Sequence, residues 1–429
     1  MGKKALGFAL SGVIAVIVAG ALIWYFVLGG SYQKTTAQSL EQPSWRQNVT
    51  VSNPNYLTFK DEHDIIRSTD SLGGPSAKYY SKYIDYIAPN GKPIRIVAQN
   101  EVTDEQVLYT YALLSFYLEQ LGSTVADQMA NNNATLVVPN GADRDGKTPT
   151  AALFGQNLHQ AEIANVGSAW YINNDYKHRD AAFEEIFHMV HDYGIGTTQN
   201  PQANSDLAKK IAEAQRNALP KEESQWGKSG LWGLGSGDWL KELSKEGSLE
   251  QEYIVSVIDS YYGLWEPYTE GQGGMWGMYV AKNRAEVKEK DPQGYSVLTS
   301  FLPEALTPLM RVDPSFEGTF SMKLDQALPY TAKSQYLTNV SLTGTRDSGL
   351  VGNASDNVLM GNAGKNAIDG GEGTDVVQLR GASSEYTVES TGNTTTVTDS
   401  VEGRDGTLVL TNVETLRFTD KDTPVTPAS

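Results

Sequence analysis

Hydrophobic and polar residues repeat along this chain with three different periods, and each period predicts a different element. From Ala181 to Ile195, AAFEEIFHMVHDYGI, apolar residues recur at helical spacing. Set at about 100° per residue with Glu184 at zero, His191 lies about 20° away, His188 about 40°, Asp192 about 80° and Glu185 about 100°. These five ionisable side chains share one face. Phe183, Ile186, Phe187, Met189, Val190 and Tyr193 fill the other, so the helix is expected to pack on a core with its polar face outward. Upstream, PIRIVA (Pro93 to Ala98), ATLVVP (Ala134 to Pro139) and EIANVGSAWYIN (Glu162 to Asn173) read as strands. Between the first two, Val102 to Leu121 reads as a helix with Thr103 as N-cap and Gly122 just past its end. Downstream, Asp206 to Leu219 is amphipathic and stops at Pro220. Leu249 to Trp265 is a helix that places Glu252 and Asp259 on one face, and helices continue through Met275–Arg284 and Tyr295–Leu306.

The last hundred residues change character. Three nine-residue units stand in register, Gly352–Met360, Gly361–Asp369 and Gly370–Gln378, after an eight-residue relative from Gly344 to Val351. Position eight is apolar in each (Leu359, Ile368, Val377), as an inward-facing strand position requires. Ser384 to Asp420 then alternates as strands and ends DGTLVLTNVETLRFTD.

Two resemblances follow from these stretches. Glu184-Glu185-Ile186-Phe187-His188 resembles the zincin motif H-E-x-x-H with its first His replaced by Glu. The resemblance implies metal ligands at Glu184 and His188 and a general base at Glu185 that activates water. In glutamate-type zincins the third ligand is a Glu on a later helix in an E-Y/F-hydrophobic context, which matches Glu252-Tyr253-Ile254. Zinc is the implied metal, and a carboxylate in place of imidazole widens the choice to manganese or iron. His191, on the same face, is an alternative ligand. The C-terminal units resemble the calcium-binding RTX (hemolysin-type) repeat G-G-x-G-x-D-x-U-x, which winds a parallel β-roll. By that resemblance Asn357, Asn366 and Asp375, at position six, are calcium ligands, few and weak because Asn brings no charge. Asp405, Leu410, Asn412, Val413, Glu414, Leu416, Phe418 and Asp420 are similar to the β-cap phrase that follows such rolls.

At the N-terminus, Ala5 to Leu28 is uncharged, long enough to cross a hydrocarbon core of about 30 Å, with Trp24, Tyr25 and Phe26 at its far end. Lys3 and Lys4 before it place the N-terminus in the cytoplasm and the main domains outside, in the periplasm or beyond the cell. A cleaved signal peptide is the rival reading. The expected organisation is a transmembrane anchor (1–30), a polar stalk (31–75), an α+β zincin-like domain with a mostly helical second half (76–335), a parallel β-roll (336–380) and a β-cap with tail (381–429).

Composition narrows the function. The 429 residues carry a net charge of −17, which argues against nucleic acid as a partner, since phosphates need a basic surface. Cysteine is absent, so neither a disulfide framework nor a thiol nucleophile exists. No second E-x-x-H pair suggests a di-iron bundle, no phosphate-binding loop follows a strand, and no G-x-S-x-G elbow occurs. Two classes remain: a metal-dependent hydrolase, expected to be a peptidase acting on a protein or peptide, and a non-catalytic calcium-binding surface or adhesion protein. In a purely structural reading, Arg179 or Lys177 pairs with the carboxylates of the polar face. The loop QWGKSGLWGLGSGDW, with Trp226, Trp232 and Trp239, either lines a cleft or folds back with its tryptophans buried.

Overall fold

In the computed structural model, which describes residues 65–426, the chain first builds a five-stranded sheet. Its strands are β1 (Arg67–Ser68), β2 (Lys82–Ile87), β3 (Pro93–Ala98), β4 (Thr135–Val138) and β5 (Gln156–Asn157), in that spatial order. β1–β2–β3 pair antiparallel, whereas β3–β4–β5 pair parallel. A short helix, α1 (Gly74–Tyr79), joins the first two strands.

The crossover between β3 and β4 is made by α2 (Asp104–Leu121) and α3 (Ser123–Asn131). Thr103 and Gln106 form a reciprocal capping box at the start of α2, satisfying two of the orphan N–H donors there. Gly122 ends it with φ +84°, a backbone state that costs a residue with a Cβ.

A helical layer follows: α4 (Ala169–Asn173), α5 (Ala182–Val190) continuing as a π turn (His191–Ile195), α6 (Ser205–Ala218), α7 (Gly237–Glu246), α8 (Leu249–Tyr261), α9 (Arg284–Lys290) and α10 (Pro292–Thr299). α5 packs between α2 and α8. The tryptophan loop folds inward. Trp232 and Trp239 are buried, and the Trp232 indole N–H donates to Ser256 Oγ at 3.0 Å.

From Leu306 onward the chain alternates between two six-stranded sheets. One has the order β17–β16–β12–β10–β8–β6, with β6 at Leu306–Val312, β8 at Leu337–Leu342, β10 at Val358–Met360, β12 at Val376–Gln378, β16 at Thr415–Arg417 and β17 at Asp422–Pro424. The other has the order β13–β14–β15–β11–β9–β7, with β7 at Gly318–Ser321, β9 at Ser348–Val351, β11 at Lys365–Asp369, β13 at Tyr386–Thr391, β14 at Thr394–Asp399 and β15 at Thr407–Thr411. A single helical turn, α11 (Thr331–Ser334), lies between β7 and β8. Within the repeats, parallel neighbours are 18 residues apart, as in Val358 beside Val376 and Asn366 beside Ser348, so each nine-residue unit there supplies half a coil. Leu359, Ile368 and Val377 point into the shared interior and are fully buried. The open end is closed by antiparallel strands, β17 on one sheet and β13–β14 on the other.

These observations correct the expected architecture. The fold is mixed α/β with three mixed sheets, each combining parallel and antiparallel neighbours, rather than an α+β domain followed by a purely parallel roll and a separate cap. Glu162 to Asn173 is not a strand. Gly167 takes φ +81° there and Ser168 opens α4, which breaks the extended run. The two-sheet coil starts at Leu306, well before residue 336, because its first turn is closed by longer loops and α11 instead of glycine repeats. One hydrophobic cluster runs from Ile84 to Phe418, so the coil shares its core with the helical layer. Lys333, fully buried on α11, donates to Trp170 O at 2.7 Å and Asn174 Oδ1 at 2.9 Å and fixes that junction.

The membrane placement is corrected too. The expected single-pass anchor has no counterpart among the described residues, where no helix is long and apolar enough to cross a membrane. The stretch Ala5–Leu28 lies outside the described residues.

Candidate metal centre

The polar face of α5 does not turn to solvent. It faces α8, and Glu184, His188 and Glu252 are all buried there. The other faces of α5 are fully apolar and seat it in the core: Phe183, Ile186, Phe187, Met189 and Val190 are at most 1 % exposed. α8 is buried around its whole circumference, which brings Glu252 inward beside His188, with Nε2 to Oε1 at 3.8 Å. One ligand atom from each of Glu184, His188 and Glu252 lies within 4.8 Å of the others, so the three residues can hold a metal ion. A tetrahedral ion with bonds of about 2.1 Å spaces its ligand atoms about 3.4 Å apart, a contraction that side-chain adjustment supplies.

Hydrogen bonding argues the same way. Both carboxylate oxygens of Glu184, Nε2 of His188 and Oε2 of Glu252 are buried with no hydrogen-bond partner. Buried polar atoms are nearly always satisfied, and leaving one without a partner costs about 1–3 kcal/mol, more when it is charged. A cation held by one atom from each of these three residues would satisfy such groups. Arg179 Nη1 stands 2.6 Å from Glu184 Oε2 as an ion pair, though outside hydrogen-bond geometry. Asp259, also on α8 and buried, interacts with Glu184 and Arg179. Were Glu184, Glu185, Glu252 and Asp259 all ionised and His188 neutral, as in a metal-bound state, they and the one guanidinium would total −3, and a dication would offset most of it.

The same charges shift protonation. Burial opposes a proton on His188, yet the carboxylates of Glu252 and then Glu185 hold its pKa well above the usual imidazole range. Burial pushes Glu252 upward against the pull of His188, with Glu184 adding to the rise. Burial and then Glu184 raise Asp259 to about 7. A metal therefore competes with protons for these ligands.

Glu185 sits at the more open side of the cluster. Its Oε2 accepts from Gln156 Nε2 at 2.8 Å and lies 3.4 Å from His188 Nδ1. Gln156 is on the edge strand β5, so the sheet holds this carboxylate in place beside the triad. His191 is buried but stays out of the group, with both ring nitrogens unpartnered and its pKa pushed down to about 3 by burial and by His188. It lies seven residues beyond Glu184, a rise of about 10 Å that one ion does not bridge. Asn357 and Asp375, each just before a strand, and Asn366, on β11, are buried in the coil, on other elements altogether.

Two neighbours of the site gave no signal in sequence, and a third gave only an indirect one. Gln156 lies on a two-residue strand, too short to show a period. His159 is buried close enough to Glu185 to feel its charge. Trp276 stacks its ring over the Arg179 guanidinium, 4.6 Å to the centroid, from a backbone at φ +55°, with Met275 before it at φ +44°. Such strain in two successive non-glycine residues costs about 1–3 kcal/mol each and clusters at functional sites. The available sign was the run Gly271-Gln-Gly-Gly274. A Cβ at Gly273 would meet Tyr279 O at 1.9 Å, and one at Gly274 would meet Ala281 O at 2.4 Å.

No model of a known protein family matches this chain, and no curated protein matches it.

A metal held here is also a stability element. Removing it is expected to lower folding stability by about 3 kcal/mol when the free metal stood at about a hundred times its Kd. Urea midpoints before and after chelation measure this, and an unchanged midpoint counts against an occupied triad.

Proposed function

We propose that the chain is a metal-dependent hydrolase, acting on a protein or peptide, with Glu184, His188 and Glu252 as metal ligands and Glu185 as general base. One observation carries this reading: three buried ligand residues with unsatisfied atoms converge beside a carboxylate that the sheet edge holds in position. A bound dication, zinc or alternatively manganese or iron, supplies Lewis acidity toward a substrate carbonyl and toward water. The protein's own contribution is orientation and proton transfer. Gln156 fixes Glu185 Oε2 and leaves the other carboxylate oxygen to take a proton from water and pass it to the leaving amine. Arg179, held over Trp276, keeps a positive charge next to Glu184 and balances part of the buried negative charge. The resemblance of Glu184–His188 to the zincin motif supports the assignment of roles.

A second reading draws on the Arg179–Glu184 contact. A guanidinium 2.6 Å from a ligand oxygen is a built-in counter-charge, and it suits a non-catalytic surface or adhesion protein in which the cluster is only structural.

Metal content separates the two. Protein purified without chelator is expected to carry one equivalent of zinc, manganese or iron by elemental mass spectrometry. The equivalent should vanish in both Glu184→Ala and His188→Ala variants. Absence of any such metal from the folded wild type would end the hydrolase reading.

A further inference from the structure

The glycine-rich turns of the coil resemble calcium sites, but the side chains in them are wired differently. In the turn from Gly352 to Asn357, Asn353 Nδ2 donates to Gln335 O at 3.0 Å and to Leu337 O at 2.8 Å. Asn357 then clamps the same turn. Its Oδ1 accepts from Asn353 N at 3.0 Å, and its Nδ2 donates to Asn353 Oδ1 at 3.1 Å.

The turn from Gly361 to Asn366 repeats this pattern atom for atom. Asn362 Nδ2 donates to Thr343 O at 2.9 Å and Arg346 O at 3.0 Å. Asn366 Oδ1 accepts from Asn362 N at 2.9 Å, and Asn366 Nδ2 donates to Asn362 Oδ1 at 2.9 Å. Asn357, Asn362 and Asn366 are at most 3 % exposed.

A cation between stacked turns would gather carbonyl oxygens of the preceding coil and the side-chain oxygen at position six. Here a carboxamide N–H₂ from position two gathers those carbonyls, and the position-six oxygen already accepts a backbone N–H. All the groups are neutral, so stacking them raises no repulsion that an ion must quench. The third turn breaks the pattern. Position two is Gly371 and position six is Asp375, whose Oδ1 accepts from Asn357 N at 2.8 Å while its buried Oδ2 has no partner.

We propose that the pairs Asn353/Asn357 and Asn362/Asn366 close two turns of the coil in place of calcium, so that the coil folds and holds without the ion. Only the Asp375 turn keeps an unpartnered buried side-chain oxygen that an ion could take.

Calcium added to metal-stripped full-length protein tests this. A Glu184→Ala chain run alongside subtracts any binding at the buried triad. Isothermal titration is expected to find no more than one calcium outside the triad, lost in Asp375→Asn. The far-UV circular dichroism of the stripped protein should match that of the calcium-loaded protein. The variants Asn353→Ala and Asn362→Ala are expected to lower the melting temperature by several degrees, equally with and without calcium. Two or more calcium ions bound outside the triad would overturn the proposal. So would loss of strand signal in stripped protein that calcium restores, or a melting deficit in the Asn→Ala variants that appears only without calcium.

Discussion

Glu185→Gln is expected to retain the full equivalent of metal and to lose peptide hydrolysis by about 10²–10⁴-fold, the usual contribution of a positioned general base. The substitution keeps shape and one hydrogen bond, since a carboxamide oxygen at that position still accepts from Gln156 Nε2, 2.8 Å from the carboxylate in the wild type. It removes only the ability to take a proton. Glu184→Gln and Glu252→Gln instead weaken the ligand set, so activity and metal content should fall together. The measurement is kcat/KM on a peptide library hit beside metal stoichiometry for each variant. A Glu185→Gln enzyme as fast as wild type would remove Glu185 from the mechanism while leaving the triad untouched. Gln156→Ala offers a graded control, with metal retained, kcat reduced and the pH profile shifted as Glu185 loses its fixed donor.

Stability of the metal-stripped protein should fall as pH rises from about 5 to about 8, the reverse of an ordinary acidic protein. Burial raises Glu119 and Glu266 to about 7, and burial together with Glu185 raises Glu162 to about 7. Unfolded, these side chains titrate near about 4.3. Between those limits the folded chain binds more protons than the unfolded chain, so protonation favours folding, and that stability is lost as pH climbs through about 7. Complete burial would make each such shift worth about 4 kcal/mol. Solvent screening at these partly buried carboxyls reduces that to about 1–2 kcal/mol each, roughly 3–6 kcal/mol together. Urea midpoints across the range provide the check, and Glu119→Gln should flatten part of the slope. A midpoint that rises steadily with pH would show that these carboxyls are ionised in the folded chain.

Several features of the site were legible in the order of residues alone. The 3.6-residue period of AAFEEIFHMV defined α5, and it put Glu184 and His188 one turn apart on a single side. The Thr103 cap, the buried eighth position of the repeats and the downstream Glu252 on an apolar helix were equally local signals. Local spacing does not say what a face looks at. The polar side of α5, expected in water, is enclosed because α8 packs over it. That contact joins positions 64 residues apart, and it converts a charged stripe into a buried group of unsatisfied ligands.

Length and periodicity also mislead where elements are short. β5 has two residues, yet it supplies the donor to Glu185. The glycine repeat marks tight turns and nothing else, so the coil's first strands, β6 and β7, with their longer connections, carried no sign of it.

The sequence by itself determined the long helices α2, α5, α6 and α8, the strands β3 and β4 and the inward eighth position of the repeats, because those depend on neighbours within a few positions. Tertiary structure alone decided that Arg179 pairs with Glu184, that Trp276 lies over Arg179 and that His191 is left out. It also decided that Asn353 and Asn362 reach carbonyls of the preceding coil. Each of these depends on which surfaces are brought together across long stretches of chain, and a charge or an amide changes its role when water is excluded around it.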